Sequence, residues 1–522
     1  MKKTENIASA ALLLATSILL SRLLGYVREM LLAWKFGATS STDAFYAAFQ
    51  IPDLLNYFLA GGALSIAFIP LYNRVLARSG EAVAHRLMSN VLGTLGALVI
   101  ALTALLWWKA EALIRFQFPN FDEETTAMTV SLTRIVLPAQ IFFITGGIIQ
   151  AVLLAHKSFH AAAVAPLIYN ICTIAGGLLL HSCCGIAGFA WGTLMGSMLG
   201  PFLMPVLYSY RHIRLRVTFS PTDRNFLIYL AIAAPLMFGQ TLLTLDEWYG
   251  RWFGALLATG TVAHLGFARK LMQVPIAVIG QAIGAAALPT LSKLWAEEKV
   301  DELNRVLTQT LKTAICLSVL AAGGFFAVAQ PLVSLVYQHG AFTAEDAITV
   351  ALLTAILAIA VPGWIVQQVT VRAFYARGDT LKPMILGTIV ALAAIPLYLW
   401  LSGALGVVGL AFAGVIGMST SAIATLVFAR SLHAAPRLLP LLGAFARGFA
   451  IALPATAAAW GAIFMRPEFL SPELLYGKWL AVFDLGIAGF AFALVALPLI
   501  WLFGEEGLKD YLKTICARLV RS

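Results

Sequence analysis

Runs of twenty or more nearly uncharged apolar residues recur from one end of this chain to the other, and that recurrence limits what it can fold into. Residues 87–108 read LMSNVLGTLGALVIALTALLWW, and residues 479–503 read WLAVFDLGIAGFAFALVALPLIWLF. A helix needs about 20 such residues to cross the hydrocarbon layer. Only helices and closed barrels satisfy every backbone polar group there. Tolerating one or two embedded charges, fourteen spans are expected: 7–34, 44–71, 87–108, 130–155, 161–180, 185–209, 225–256, 262–291, 307–336, 347–371, 384–402, 406–429, 442–465 and 479–503. Dividing 522 residues by fourteen leaves about 37 for each span with its loop, which is too few for a soluble domain. The composition agrees, with 60% hydrophobic and only 11% charged residues, where a soluble domain carries roughly 25% charged. A cytosolic enzyme, a nucleic-acid-binding module and a disordered chain are thereby excluded, despite a formal net charge of +10.

The loops alternate in charge. On the side of the N-terminus, residues 71–86 hold Arg74, Arg78 and Arg86 against Glu81, and 210–224 hold four arginines against Asp223. Residues 430–447 add Arg430, Arg437 and Arg447 with no acid. The opposite loops are acidic, with Glu111, Asp122, Glu123 and Glu124 in 109–129 and Glu345 and Asp346 in 337–346. Cytoplasmic loops carry the excess of Lys and Arg, so both termini are expected in the cytoplasm, which requires an even number of spans. The opening MKK and the apolar run from Ile7 to Leu20 imitate a signal peptide. That run continues into SRLLGYVRE without a small-residue cleavage site, and it reads as an uncleaved first helix. The five cysteines are scattered, and no CxxC or His/Cys cluster calls for a metal or another cofactor.

At a shift of about 220 residues the chain matches itself. GIAGFAWGTLMG from Gly185 meets GVVGLAFAGVIG from Gly406, and FDEETTAMTV (121–130) meets FTAEDAITV (342–350). KFGA (35–38) likewise meets WFGA (252–255), and IPLYNRVLA (69–77) meets LPTLSKLWA (288–296). A six-span repeat keeps the orientation of its copy, so two parallel bundles around a central cavity are expected. The expected divisions are 1–218, 219–436 and an appendage, 437–522, with the last two spans.

Ionisable groups inside spans are costly and normally face protein or a water-filled cavity. Eleven stand out: Arg22, Arg28, Glu29, Asp53, Arg134, Asp246, Glu247, Arg251, Arg269, Lys270 and Asp484. The spans that open the two repeats hold nine of them. Arg22 and Glu29, seven apart, share a helix face roughly 10 Å apart along the axis, and Gly25 between them permits a bend or a close approach. Glu247 precedes Arg251 by four residues, the favourable order for an ion pair within one helix. Arg269 and Lys270 have no acid within four residues. Unpaired guanidinium groups in a cavity suit a phosphate, because the planar fork matches its oxygens and keeps its proton. An anionic cargo is expected. Pro52, Pro138, Pro235, Pro275 and Pro362, with glycine pairs at Gly61–Gly62 and Gly323–Gly324, interrupt spans and offer the means of movement.

The run SRLLGYVREMLLAWKFGATSSTDAFYAAFQIPDLLNYFLAGGALSIAFIP (21–70) resembles the N-terminal signature of the MurJ (MviN-type) lipid II flippases. These belong to the multidrug/oligosaccharidyl-lipid/polysaccharide exporter superfamily. YQHGAFTAEDA (337–347) and AFYARGDTLKP (373–383) resemble two further stretches of that family. The resemblance implies an all-α membrane protein with fourteen helices in two lobes. It implies transport of undecaprenyl-diphosphate-linked disaccharide-pentapeptide (lipid II) across the bacterial cytoplasmic membrane, with no enzymatic step. Family cavity arginines match Arg22 and Arg28, the acid opening the second span matches Asp43, and the basic residue of the eighth falls at Lys270 beside Arg269. Glu29, Asp53, Asp246, Glu247 and Arg251 are left as coupling or cavity charges. The sequence departs from the family pattern at Asn56, which replaces an arginine, and at Gly61, which replaces a glutamate.

The nearest rival readings are a flippase for another polyprenyl-diphosphate-linked glycan and a drug or cation exporter of the same superfamily. The exporter would favour an acidic cavity. A membrane glycosyltransferase would need catalytic side chains on a sizeable loop, and the loop 109–129 offers only the acidic run at 122–124. No Walker motif is present, and no residue pattern identifies a coupling ion.

Overall fold

The computed structural model describes residues 7–60, 67–210, 216–243, 245–465 and 478–509, and among them there is no strand. The chain divides into two compact units, Met1–Ala263 and His264–Ser522.

The first unit opens with α1 (Ile7–Phe36), followed by α2 (Ser40–Ala48), α3 (Gln50–Ala60), α4 (Ile69–Ser79) and α5 (Glu81–Trp108). Next come α6 (Ala110–Gln117), α7 (Glu123–Val136), α8 (Ala139–Ala155), α9 (His160–Leu179) and α10 (His181–Cys184). A single helical path then joins α11 (Ala187–Ser197) through a wide π-turn to α12 (Met204–Ser209). Finally, α13 (Arg224–Leu243) and α14 (Leu245–Gly254) close the unit. Phe226, Tyr229, Ala233 and Met237 of α13 share one buried core with Leu55, Phe68, Tyr72, Met88 and Val152. The seventh expected span therefore packs with the first unit, although sequence comparison makes it the opening of the second repeat.

The second unit takes in most of α15 (Thr261–Pro275), a π-turn, and α16 (Ala282–Ala296). It continues with α17 (Val300–Tyr337), α18 (Ala344–Ala358), α19 (Val361–Ala376), α20 (Leu381–His433), α21 (Leu438–Phe464) and α22 (Lys478–Phe503). Ala327 of α17, Ala459 of α21 and Ala488 of α22 meet in one small buried cluster. The appended pair α21 and α22 is thus built onto this unit through α17. Gly323 and Gly324 do not break α17, which runs 38 residues without interruption. The absent side chain at Gly323 instead admits α21, since a Cβ there would lie 2.5 Å from Thr456 Oγ1.

Among the described residues helix occurs in each of the fourteen expected spans, but the spans differ in kind. Among the described residues, nine helices are long and apolar enough to cross a membrane, and ten if α18 and α19, bent by 44°, make one span. The 53-residue α20 is two helices meeting at Gly406, whose φ is 58° and ψ −136°. Gly185, 221 residues earlier, has φ 56° and ψ −135°. The same shift relates two further devices. Asp122 caps α7 by accepting from Thr125 N at 3.1 Å, and Thr343 caps α18 in a reciprocal box with Asp346. Hydrogen bonds from the Thr125 hydroxyl and backbone N–H hold the Asp122 carboxyl below the ordinary aspartate range. Lys157 and Gly378, both at positive φ, end α8 and α19, each followed by an N–H that reaches back five residues. Breaks at 137–138 and 359–360 divide the fourth and tenth spans alike.

Inside the bilayer, helices approach closely where side chains are small. Gly188, Gly192, Gly196 and Gly200 form one row on the path from α11, and all four press on the backbone of α9. A Cβ at Gly192 would stand 2.6 Å from Cys172 O, and one at Gly196 would stand 2.7 Å from Tyr169 O. Gly192→Leu is expected to destabilise the first unit by about 1–3 kcal/mol, the usual cost of overpacking. Gly461→Leu, which faces open space, gains helix propensity without a clash. A thermal melt of detergent-solubilised protein should separate the two. Gly185→Ala and Gly406→Ala should each cost about 1 kcal/mol, because both put a Cβ on left-handed backbone. Equal downward shifts for that pair, with no downward shift for Gly403→Ala, which sits in helix with open space at its Cβ, are the expected melting result.

Candidate functional site

The charges of α1 are held by its packing on α9. Ser17, Ser21, Gly25 and Glu29 recur every four residues and so share one helix face. Ser17 donates its hydroxyl to Ala163 O. Asn170 of α9 donates to Ser21 Oγ at 3.0 Å and to Pro166 O at 3.0 Å. A Cβ at Gly25 would stand 4.0 Å from Asn170 Oδ1, an ordinary contact, and α1 runs unbroken through this glycine. The row ends at Glu29, which is buried.

Burying a carboxylate is expensive unless it is paired and hydrogen-bonded. Glu29 has both supports. Arg28 Nη2 donates to Glu29 Oε1 at 2.7 Å, and Tyr46 of α2 donates to Glu29 Oε2 at 2.6 Å. The sequence expectation of an unpaired Arg28 is corrected here: its neighbour in the chain neutralises it. Arg22 is partly buried on the same helix and has contacts of its own. With Arg22 and Arg28 against Glu29, the inner part of α1 keeps a formal charge of +1.

Asp53 of α3 and Arg251 of α14 form a second pair, Nη1 to Oδ2 at 3.0 Å, with side chains 33% and 23% exposed. Spacing within α14 pointed to Glu247 as the partner of Arg251, and the structure supplies one 198 residues away. The side chains of Asp246 and Glu247 lie outside the described residues, as does Gly61. Asn56 is partly buried on α3.

Asp43 is buried, and both of its carboxylate oxygens accept from backbone. Gly260 N donates at 2.5 Å and Ala263 N at 2.7 Å. Asp43 therefore caps the start of α15 from a distance, satisfying N–H groups that a helix N-terminus leaves open. Arg269 and Lys270 follow on that helix in the second unit, both partly buried and both in contact with other groups. Consecutive residues project about 100° apart around a helix, so the two present their charges to different neighbours.

Sequence reasoning misses three networks. Tyr46 gives no local signal, since its role depends on α2 meeting α1. Buried Glu505, just past α22, pairs with Lys312 of α17 at 2.7 Å and with Arg447 of α21. Lys312 lies inside the ninth expected span, and its position there was the available clue. His264 at the start of α15 meets Asp346 Oδ1 at 2.8 Å, on the acid that also completes the α18 cap.

The family model described as "Lipid II flippase MurJ" matches residues 32–499. That match begins in the last turn of α1, so Arg22, Arg28 and Glu29 precede it. A lipid II flippase MurJ of Burkholderia cenocepacia is 29% identical over 392 residues, covering 73% of this chain and 75% of the relative. A solved structure of the lipid II flippase MurJ in an inward closed conformation has the same fold, at TM-score 0.78 and 22% identity over 94% of this chain and 99% of that one. An inward-facing multidrug resistance MATE family transporter of the MOP superfamily is a more distant likeness, at TM-score 0.70 and 16% identity over 79% and 94% of the two chains. Since the family model takes in nearly everything from the end of α1 to the last turns of α22, this multi-pass membrane chain belongs to the MurJ family of lipid II flippases.

Proposed function

We infer that this chain moves lipid II from the cytoplasmic to the periplasmic leaflet of the bacterial inner membrane. The observation that carries this reading is the family match over residues 32–499. The cargo poses a definite physical problem. Its sugar-peptide head and diphosphate cannot enter hydrocarbon unaided, whereas its polyprenyl tail can stay in lipid throughout. A carrier must therefore offer fixed cationic groups to the diphosphate and leave the tail outside. Nothing in such a passage makes or breaks a covalent bond. The basic loops at 71–86, 210–224 and 430–447 support an orientation with both termini in the cytoplasm. Alternating access by the two repeats, 1–218 and 219–436, is the mechanism this reading adopts. A charge crossing 100 mV gains about 2.3 kcal/mol, and membrane potential, sodium and protons are the candidate means of biasing the two states.

In this reading Arg22 and Arg28 of α1, with Arg269 and Lys270 of α15, bear on the diphosphate. The ion pair with Glu29 does not disqualify Arg28. A guanidinium has five N–H donors, and Glu29 engages Nη2. Tyr46 holds the other oxygen of Glu29, so the carboxylate acts as an anchor that fixes the orientation of the guanidinium. Asp43 contributes indirectly, as the cap of the helix that carries Arg269 and Lys270. Lys270 can offer charge but no bidentate fork.

Depleting the protein in its own host should leave lipid II on the inner leaflet and cause lysis; continued wall synthesis under depletion would overturn the assignment. Complementing such cells with Arg28→Ala should lower periplasmic delivery of lipid II by at least about tenfold, the worth of one charge-assisted hydrogen bond. Because Arg28→Ala strands the buried Glu29 carboxylate, the paired variant Arg28→Ala/Glu29→Gln should show the same loss at an unchanged protein level, and Arg28→Lys should fall between wild type and Arg28→Ala. Delivery at the wild-type rate by Arg28→Ala would remove Arg28 from the substrate path.

A further inference from the structure

A cleft of about 780 Å³ lies in the first unit where α5 gives way to α6 and α7, with one wall from α11. None of the residues assigned above to lipid II lines it. We propose that it is a binding site for a membrane phospholipid whose headgroup carries both a phosphate and an ammonium group.

The level of the cleft comes from the residues at its edge. The apolar run of α5 ends in Trp107 and Trp108, 46% and 66% exposed, and Lys109 Nζ lies 4.1 Å from the Trp108 ring centre. Exposed tryptophan beside lysine marks the depth at which hydrocarbon meets headgroups. The positive pole is Arg134. Its Nε donates to Trp107 O at 3.3 Å, and its guanidinium lies over the Trp107 ring at 5.0 Å. Among the described residues no carboxylate pairs with it. The side chain is thus oriented by the indole, with terminal nitrogens left for a ligand.

The opposite pole is acidic. Arg115 grips Glu123 through both terminal nitrogens, at 3.0 and 2.5 Å, and Glu111 through Nε at 3.2 Å. These hydrogen bonds raise the Arg115 pKa, Glu123 contributing most. Two carboxylates against one guanidinium leave a formal −1, facing the +1 of Arg134. A cleft with separated charges of both signs complements a zwitterion. An anionic headgroup would meet the acidic pole without compensation. From Arg134 the lining continues over Pro138, Trp191 and Leu194, an apolar path for an acyl chain, with Trp191 43% exposed.

Purified full-length protein in detergent, titrated with dioctanoyl phosphatidylethanolamine or dioctanoyl phosphatidylglycerol, would test this by native mass spectrometry. Wild-type protein should retain the ethanolamine lipid in preference to the glycerol lipid. Arg134→Gln should lower that occupancy by about tenfold, the loss of one charge-assisted hydrogen bond, with an unchanged melting curve. Arg78→Gln, on an exposed stretch outside the cleft, should leave occupancy as it is. Glu111→Gln, which removes part of the negative pole, should shift preference toward the glycerol lipid and serves if Arg134→Gln does not fold. Equal retention of both lipids by the wild type, or no response to either cleft variant, would overturn the proposal.

Discussion

A backbone N–H or C=O left without a partner in hydrocarbon costs several kcal/mol, and the structure of this protein follows from that penalty. It turns each apolar run into helix and also governs where helix can stop. At the break before α8, Gln140 N reaches Leu137 O and Ile141 N reaches Pro138 O, both at 3.1 Å. At the matching break before α19, Ile359 N reaches Ile356 O at 3.1 Å and Ala360 N reaches Leu357 O at 3.0 Å. The chain bends at these points by shortening its hydrogen bonds rather than abandoning them. Pro138 and Pro362 therefore act as local re-routings of a continuous ladder, and the π-turn after Pro275 does the same with a wider loop.

The same accounting applies to charge. Each described acid of the first unit that sits among apolar helices is answered by a specific group: Glu29 by Arg28 and Tyr46, Asp53 by Arg251, Asp43 by two backbone N–H groups. Each arrangement joins elements distant in sequence or fixes a side chain that would otherwise rotate. Buried ion pairs are weak sources of stability in themselves. Their consequence here is geometric, because a cation held by its partner offers its remaining donors in a fixed direction.

The sequence made the helical class and the family legible, since both depend on local pattern. It also singled out Arg22, Arg28, Glu29 and Asp53 as unusual, because an ionisable residue inside an apolar run is conspicuous whatever its contacts. Partners were not legible. Arg251 had an acid at the right helical spacing, and only the three-dimensional path that brings α3 within reach of Arg251 reveals Asp53. Asp43 reads as an ordinary acid opening a span, and its use as a remote cap depends on the path of the chain over more than 200 residues. The glycine pair at 323–324 was misleading for a related reason. Glycine marks either a bend or a close neighbour, and only the neighbour, Thr456, distinguishes them.

What the two repeats share, and what they do not, separates scaffold from chemistry. At a shift of 221 the backbone devices persist: the left-handed turn at Gly185 and Gly406, the caps at Asp122 and Thr343, the helix ends at Lys157 and Gly378. Side-chain chemistry does not persist. Lys157 occupies a strained position that its counterpart fills with glycine, and the counterpart of Asp43 is His264, which pairs with the side chain of Asp346 where Asp43 accepts from backbone N–H groups. A backbone device is demanded by the fold wherever the fold recurs, so both copies must keep it. A side-chain charge is demanded only by the groups it meets locally, so the two copies are free to differ there once the backbone is kept. Divergence of charge on a retained backbone therefore marks where the fold stops dictating the residue: Gly185 and Gly406 keep one conformation, while Asp43 and His264 meet different partners.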